Sequence, residues 1–461
     1  MTQLVPLVMF TWPLVVLALF AWFQPRRAVL IAFLAGWMFL PMGAPATWTF
    51  PGVPDYDKFT ATSAAVLLGA MLFDAQRLMR FRPRWFDVPM MVWLLVPIAS
   101  TVVNDPWGSL PRALYGGLTL TVDHLVVWAL PYFLGRIYFS DPQGLRELAI
   151  GLFIGGLIYI PLCLYEVRFS PQLHRMLYGY HHRGWDAVRF GGFRPKVFMD
   201  TGLQVGLWMT ITFVTGFWLW LTGALKRLWD VPMALLVVAL LFAAVLCKSA
   251  GALALLMAAV GVLLALKWFH LRLALVALLC IAPTYMVLRT TNLWTGDGVV
   301  ALIEDNVNRS RAASLEGRFE NENMLTDRAL QQPLLGWSGW GRMRVYDAHG
   351  DSRTTPDGMW VIAFGRYGVV GLVAMTTVLL LPLGLILARF PTRALARAEV
   401  APLLALAIVA TLFMLDCLLN AMVSPVYLLA VGGGTSVAAT VRVVSPAQVA
   451  PAGSPATVPQ T

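Results

Sequence analysis

A dense run of basic side chains lies between two apolar segments of the chain. It includes Arg183, Arg189, Arg194 and Lys196. Arginine is suited to binding phosphate, because its planar guanidinium donates two parallel hydrogen bonds and stays protonated at neutral pH. The alternative role of this run is contact with ordinary lipid headgroups. A second candidate for anion binding is Arg318, whose alternative role is an i,i+4 ion pair with Glu322 on one helix.

Further ionisable residues fall inside apolar segments or at their ends. They are Asp123, His124, Asp200, Lys248 and Asp416. A charge in hydrocarbon is costly, so each of these residues is a candidate functional group until a local partner explains it. All of them fall near the same end of their segments, which predicts a polar chamber open to one face of a membrane. The alternative is that each side chain reaches the interface or pairs locally.

The elements that would position these groups are apolar helices. Of 461 residues, 59% are hydrophobic and only 13% are charged, whereas a soluble domain has about 25% charged residues. A membrane-spanning helix needs about 20 mostly apolar residues. The sequence predicts an all-α polytopic membrane protein with about 13 transmembrane helices, at Val5–Phe23, Ala28–Met42, Thr60–Ala75, Val88–Val103, Leu118–Leu134, Leu148–Leu164, Thr201–Leu221, Val231–Cys247, Gly251–Leu266, Leu273–Leu288, Met359–Leu387, Val400–Leu419 and Val426–Thr440.

Positive charge occupies alternate loops between these segments, as expected of loops on the cytoplasmic side. The basic loops are at Arg26–Arg27, Arg77–Arg84, Arg136 with Arg146, Lys226–Arg227, Lys267 with Arg272, and Arg389–Arg397. The N-terminus and the two long loops, 167–199 and 289–358, are then predicted to lie outside. We expect residues 1–443 to form one membrane domain and the Pro- and Ala-rich tail, 444–461, to be disordered.

Charge and cysteine usage exclude two other classes of site. The basic loops account for most of the net charge of +10, so no nucleic-acid partner is predicted. The four cysteines lie in or beside apolar segments without metal-ligand spacing, so no metal site is predicted. Membrane lipids are the expected surroundings.

Several short motifs follow one another in the longer loop, where a helix is predicted over Ser314–Leu330. They are Glu316-Gly-Arg-Phe, Ala329-Leu-Gln-Gln-Pro-Leu-Leu-Gly-Trp-Ser-Gly339, Pro356-Asp-Gly-Met-Trp and Gly368-Val-Val-Gly-Leu, with weaker echoes at Pro131–Arg136, Arg189–Pro195 and Ser249. Their order and spacing resemble the signature loop and following helix of the O-antigen ligase and O-antigen polymerase superfamily. The resemblance covers Arg318–Leu372 best.

The resemblance implies a GT-C-like membrane glycosyltransferase at the periplasmic face of a bacterial inner membrane. Such an enzyme takes a glycan from an undecaprenyl diphosphate carrier and joins it to the hydroxyl of a glycan or lipid acceptor, with no metal or other cofactor. The family's two diphosphate-binding arginines match Arg189 and Arg318 by position. The position of its usual His, eleven residues before Gly368, is Asp357 here. This departure favours an exopolysaccharide or O-antigen repeat polymerase over an O-antigen ligase.

Roles for individual residues follow from this chemistry. Asp357 is expected to take the proton of the attacking hydroxyl, or alternatively to cap the helix that starts at Met359. Trp337 and Trp340 are expected to stack on sugar rings, although tryptophan is also common at membrane interfaces. The expected substrate-binding residues are Arg194, Lys196, Arg183, His182, Asp123, His124, Asp200, Trp337 and Trp340.

A different class of function fits part of the same pattern. A transporter or a flippase for lipid-linked oligosaccharides would also be polytopic and helical. It would be expected to have a central site reached from both sides and would not need a long outer loop.

Overall fold

The computed structural model describes residues 4–50, 53–105, 108–181, 188–189, 191–306 and 309–441. The structure is mostly helical (73%) with little sheet, as the sequence predicts. In chain order, the elements are α1 Leu4–Trp22, α2 Pro25–Phe39, α3 Lys58–Phe73, α4 Ala75–Met79, α5 Val88–Val103, α6 Leu110–His124, α7 Leu130–Tyr138, α8 Pro142–Phe169, α9 Leu173–Tyr178, β1 Val188–Arg189, β2 Gly192–Phe193, α10 Gly202–Leu221, β3 Arg227–Leu228, β4 Val231–Pro232, α11 Met233–Leu246, α12 Ala250–Phe269, α13 Arg272–Thr290, α14 Asp297–Asn306, α15 Arg309–Leu330, α16 Met359–Arg389, α17 Thr392–Leu395, α18 Ala401–Asp416 and α19 Pro425–Thr440.

Each predicted apolar stretch coincides with a helix, and eight helices are long and apolar enough to cross a membrane. These are α1, α5 with the turn before it, α6 continued through a π-helical segment into α7, α8, α10, α12, α13 and α16. The remaining apolar helices, α2, α3, α11, α18 and α19, have only 14 to 16 residues. At 1.5 Å per residue they reach about 21–24 Å, less than the roughly 30 Å of a hydrocarbon core. The protein is a helical membrane protein, and crossing by all thirteen stretches remains an expectation.

Two of these short helices, α18 and α19, are largely buried within the bundle. All 16 residues of α18 are buried, and α19 packs closely along α7. A Cβ on Gly432 would lie 2.0 Å from the carbonyl oxygen of Tyr132, and one on Gly135 would lie 2.3 Å from that of Leu429. Glycine is required at both positions because the two backbones touch. Helices enclosed in this way need not match the thickness of the bilayer themselves.

Loops that carry the basic clusters meet at one end of the helical bundle. Arg26 at the start of α2 pairs with the Asp141 carboxylate at the start of α8. Arg146 Nη2, also on α8, donates to the Ala224 carbonyl in the loop after α10 at 3.2 Å. Arg389 at the end of α16 donates to the Ala439 carbonyl near the end of α19.

The predicted outer loops meet at the other end. The Tyr178 hydroxyl donates to the carbonyl of Phe39 at 2.7 Å, which joins the loop after α8 to the loop after α2. The guanidinium of Arg318 donates to the carbonyl of Leu419 at 3.3 Å, which joins the longest loop to the α18–α19 connection. The alternation of basic and non-basic loops along the sequence therefore corresponds to the two opposite ends of one helical bundle.

The motif Pro333–Gly341 forms a turn that docks on a kink in α16. Gly368 interrupts the helix with φ of 63°, and the amides of Val369 and Trp337 donate to Pro333 and Gly365 across the contact, each at 2.8 Å. A Cβ on Gly336 would lie 2.5 Å from the backbone of Arg366, and one on Gly368 would lie 2.3 Å from that of Leu334. The Pro-Leu-Leu-Gly motif and Gly368 therefore hold the large loop against the membrane helices.

Candidate functional site

Arg318 and Asp357, far apart in the chain, line the same cleft at the outer-loop end. Arg318 projects from α15 and is half-buried, while Asp357 precedes α16 and is exposed. The cleft has a volume of about 220 Å³, and Asn321, Thr355 and Leu419 help to enclose it. The structure thus brings together two of the three predicted catalytic residues.

Asn321 fixes the geometry of this cleft. Its side-chain oxygen accepts a hydrogen bond from the Thr355 amide at 2.8 Å, and its amide group donates to the carbonyl of Gly317 at 2.7 Å. The loop that bears Asp357 is therefore tied to the helix that bears Arg318. As predicted, α15 covers Ser314–Leu330, but it begins earlier, at Arg309.

Asp357 does not cap α16. The N-cap residue is Gly358, and no side chain caps this helix end. The first amides of α16 instead donate to backbone carbonyls after α18: Met359 to Asn420 at 3.0 Å and Trp360 to Cys417 at 3.2 Å. The capping alternative is therefore wrong, and the Asp357 carboxylate is not committed to the helix end.

The alternative pairing of Arg318 with Glu322 is also wrong. Glu322 is 5% exposed, and its carboxylate accepts hydrogen bonds from Arg289 at 3.2 Å, Tyr285 at 2.6 Å and Trp360 at 3.3 Å. Burial raises the pKa of the Glu322 carboxyl, while the hydrogen bond from Tyr285 and the charge of Arg289 oppose that rise. Within the described residues no carboxylate forms an ion pair with Arg318.

The shorter of the two long outer loops, residues 167–199 (the first outer loop), supplies a second set of basic residues. Arg194 and Lys196 are buried, and Arg194 Nη2 donates to the Ser249 hydroxyl at 3.2 Å. Arg189 pairs with Gly192 in the β1–β2 hairpin, and the Lys248 amine lies against Gly192. The predicted residues His182 and Arg183 lie outside the described residues.

Glu166, which sequence reasoning did not single out, anchors both ends of this loop. One of its oxygens accepts from the Leu173 amide at 2.9 Å, and the other accepts from the amides of Lys196 and Val197 at 2.8 and 2.7 Å. A glutamate in the last turn of an apolar helix was the available signal. Its three amide partners show that it positions the basic loop.

His124 is a packed residue, which removes it from the candidate site. It is 6% exposed, its Nδ1 donates to the Trp93 carbonyl at 2.9 Å, and its ring lies 4.6 Å from that of Trp93 and 5.0 Å from that of Tyr367. The neighbouring Asp123 is exposed, and the positive charge of Arg366 acts on its carboxylate.

Asp200 lies beside a buried lysine that the sequence did not reveal. Lys58 is 1% exposed, and its amine donates to the carbonyls of Trp37 and Phe198 at 3.0 and 3.1 Å. The charges that act on Lys58 are those of Asp57 and Asp200. A lysine at a helix end is expected to reach water, so its burial follows only from tertiary packing.

Asp416 lies behind Arg318. It is 8% exposed. One carboxylate oxygen accepts from Asn420 at 2.8 Å, while the other has no hydrogen-bond partner among the described residues. The charge of Arg318 acts on this carboxylate, so the two groups are electrostatic neighbours at the outer end of α18.

The two tryptophans have different surroundings. Trp337 donates from Nε1 to the Arg328 carbonyl at 2.8 Å, and the Arg328 guanidinium covers its ring at 3.6 Å from the centroid, so this ring face is not open to a sugar. Trp340 is 42% exposed and remains available.

The Arg318 cleft and the first outer loop contact the same connection between α18 and α19. Arg318 donates to Leu419, and the hydroxyl of Thr201, next to Asp200, donates to the sulfur of Met422 at 3.0 Å. Both groups of polar residues are therefore at one end of the bundle. Among the described residues no cluster of His, Cys, Asp and Glu has the arrangement of a metal site.

The fold and the site define a polytopic helical membrane protein with a polar, arginine-bearing cleft at one end. Scans against protein-family models and against curated proteins find no match.

Proposed function

We propose that the protein is a membrane glycosyltransferase of the O-antigen ligase and polymerase type, acting on a glycan carried by undecaprenyl diphosphate. The observation that carries the proposal is the joint position of Arg318 and Asp357 in one cleft. In the part of the chain that the structure describes, Arg318 forms no ion pair: the nearby Glu322 is paired with Arg289, and Asp416 is an electrostatic neighbour only. An arginine with uncommitted charge beside an exposed carboxylate suits an anionic leaving group and a hydroxyl nucleophile.

Glycosyl transfer assigns a different task to each residue. The acceptor oxygen forms a bond to the anomeric carbon while the bond from that carbon to the carrier's diphosphate breaks. The diphosphate leaves with the bonding electrons, and the guanidinium of Arg318 stabilises the charge that develops on it. The proton of the acceptor hydroxyl passes to the Asp357 carboxylate. Arg189, Arg194 and Lys196 would bind the second phosphate, which is the one attached to the carrier lipid.

The size of the cleft limits what it holds. The atom-free space of about 220 Å³ includes the open mouth of the cleft, so the enclosed part is well below the roughly 300–1,000 Å³ of common ligand pockets. We therefore assign it the reacting sugar–phosphate bond alone, with the rest of the glycan outside. Binding of the donor would move the loop that Asn321 ties to α15.

Asp357 in place of the family's usual His favours a polymerase over a ligase. The alternation of basic loops favours a bacterial inner-membrane location with this cleft on the periplasmic side. A transporter or flippase is less well supported, since the uncommitted charges of Arg318 and Asp357 are at one end of the bundle and not at its centre.

The test is transfer in vitro with purified lipid-linked donor and detergent-solubilised protein. Arg318→Ala and Arg189→Ala are expected to lose transfer by about 10²-fold or more, the usual cost of removing a group that stabilises developing charge. Lys at either position should restore little, because a point charge does not reproduce bidentate binding.

The matched control is Arg353→Ala, which removes an exposed arginine from the same loop outside the cleft. It should transfer at the wild-type rate. Near-normal transfer by Arg318→Ala, with the protein present in normal amount, would contradict the proposal.

A further inference from the structure

A second and larger cleft lies at the opposite end of the bundle. It is open to solvent, has about 1230 Å³ of atom-free space including its mouth, and is lined by five arginines: Arg77, Arg80, Arg82, Arg84 and Arg136. The loop between α3 and α5 carries four of them, and the end of α7 carries the fifth. None of the roles considered above uses this cleft.

The positive charge of the cleft is only partly neutralised. Arg136 pairs with the buried Asp87, and Arg77 lies 4.0 Å from Asp74. The other three arginines are exposed, and no carboxylate of the described chain pairs with them. Three guanidinium groups are therefore free to bind an anion. Each can donate hydrogen bonds to two phosphate oxygens at once.

Close packing of α7 against α19 gives the cleft its hydroxyl-bearing wall. Because Gly135 and Gly432 allow the two backbones to touch, Ser436 and Thr440 on α19 reach the same cleft as Arg136. The Arg136 guanidinium is held in place by the ring of Phe86, 4.5 Å away. The three free arginines therefore lie beside a wall formed by the held Arg136 and by Ser436 and Thr440 of α19.

Large apolar side chains are exposed beside the arginines of the cleft. Met79 is 71% exposed and Trp85 is 65% exposed, and both are next to the arginines in the chain. Large apolar side chains exposed beside basic residues are typical of the level where acyl chains meet headgroups. This placement favours a phosphate that arrives on a lipid over one that arrives from solution.

We propose that this cleft binds the phosphates of an anionic membrane lipid, in the leaflet opposite the Arg318 cleft. A lipid with two phosphates fits best, because three free guanidinium groups exceed what one phosphate needs. Lipid bound here would link the α3–α5 loop to the ends of α7 and α19. The proposal does not depend on the glycosyltransferase activity.

The test is native mass spectrometry of the full chain in detergent, titrated with cardiolipin. A triple variant, Arg80→Gln with Arg82→Gln and Arg84→Gln, should bind cardiolipin about 10- to 100-fold more weakly, given the usual contribution of each basic residue to anionic-lipid binding. Arg82→Gln alone should show part of this loss, which keeps the test valid if the triple variant folds poorly.

The matched control removes the same number of charges from other basic loops: Lys226→Gln with Arg227→Gln and Arg272→Gln. It should bind cardiolipin within about twofold of wild type, as only the cleft binds the lipid tightly. Equal weakening by both triple variants would show general surface attraction and overturn the proposal. So would binding of phosphatidylethanolamine as tightly as cardiolipin, or displacement of cardiolipin by equimolar inorganic pyrophosphate.

Discussion

Two charged groups on α15, one turn apart, have opposite surroundings. Glu322 is buried, and Arg289, Tyr285 and Trp360 satisfy its carboxylate. Arg318 is half-buried in an open cleft with Asp357, and its acceptor among the described residues is the Leu419 carbonyl. The difference shows that one helix can carry both a structural ion pair and an uncommitted cation, and that charge in this loop does not by itself mark a functional residue.

The largest expected effect on stability is at the buried ion pair of Arg289 and Glu322. Arg289→Ala leaves the Glu322 carboxylate buried without its cation, which should lower the free energy of unfolding by about 3–5 kcal/mol. Thermal unfolding in detergent measures this as a lower melting temperature. Arg318→Ala should unfold near the wild-type temperature, since its side chain is partly solvated.

An exposed pair is the matched control for this prediction. Arg309 and Glu304 lie 3.2 Å apart with Arg309 91% exposed, and Arg309→Ala should have a small effect because water screens such pairs. If Arg318→Ala lowers the melting temperature as much as Arg289→Ala does, the distinction between the buried Glu322 pair and the uncommitted Arg318 is wrong.

A smaller effect is expected where the signature turn docks on α16. Gly368→Ala places a Cβ against the Leu334 backbone at a positive φ, and should cost about 1–3 kcal/mol in strain. The control is Gly384→Ala on the same helix, where a Cβ meets no atom within 4 Å. Gly368→Ala should melt at a lower temperature than Gly384→Ala. Equal melting temperatures would show that the docking of the turn on α16 does not contribute to stability.

Sequence patterns predicted the helices well because apolar runs are local. They also predicted which loops share an end of the bundle, since charge alternates with the spans. The partner of Glu322 was missed because Arg289 lies on another helix, whereas the i,i+4 rule considers only one. The burial of Lys58 and His124 was missed for the same reason: neighbours from distant segments enclose them. Arg318 and Asp357 were paired only through the family resemblance.

The central claim is that Asp357 takes the proton of the acceptor hydroxyl. The measurement is the rate of glycan transfer in vitro by Asp357→Asn and Asp357→His, with Asp351→Asn as an exposed control in the same loop. Asn keeps the size but not the base, so transfer should fall by about 10²–10⁴-fold, while His should retain part of the activity and Asp351→Asn all of it. An active Asn variant beside an inactive His variant would contradict the assignment of Asp357.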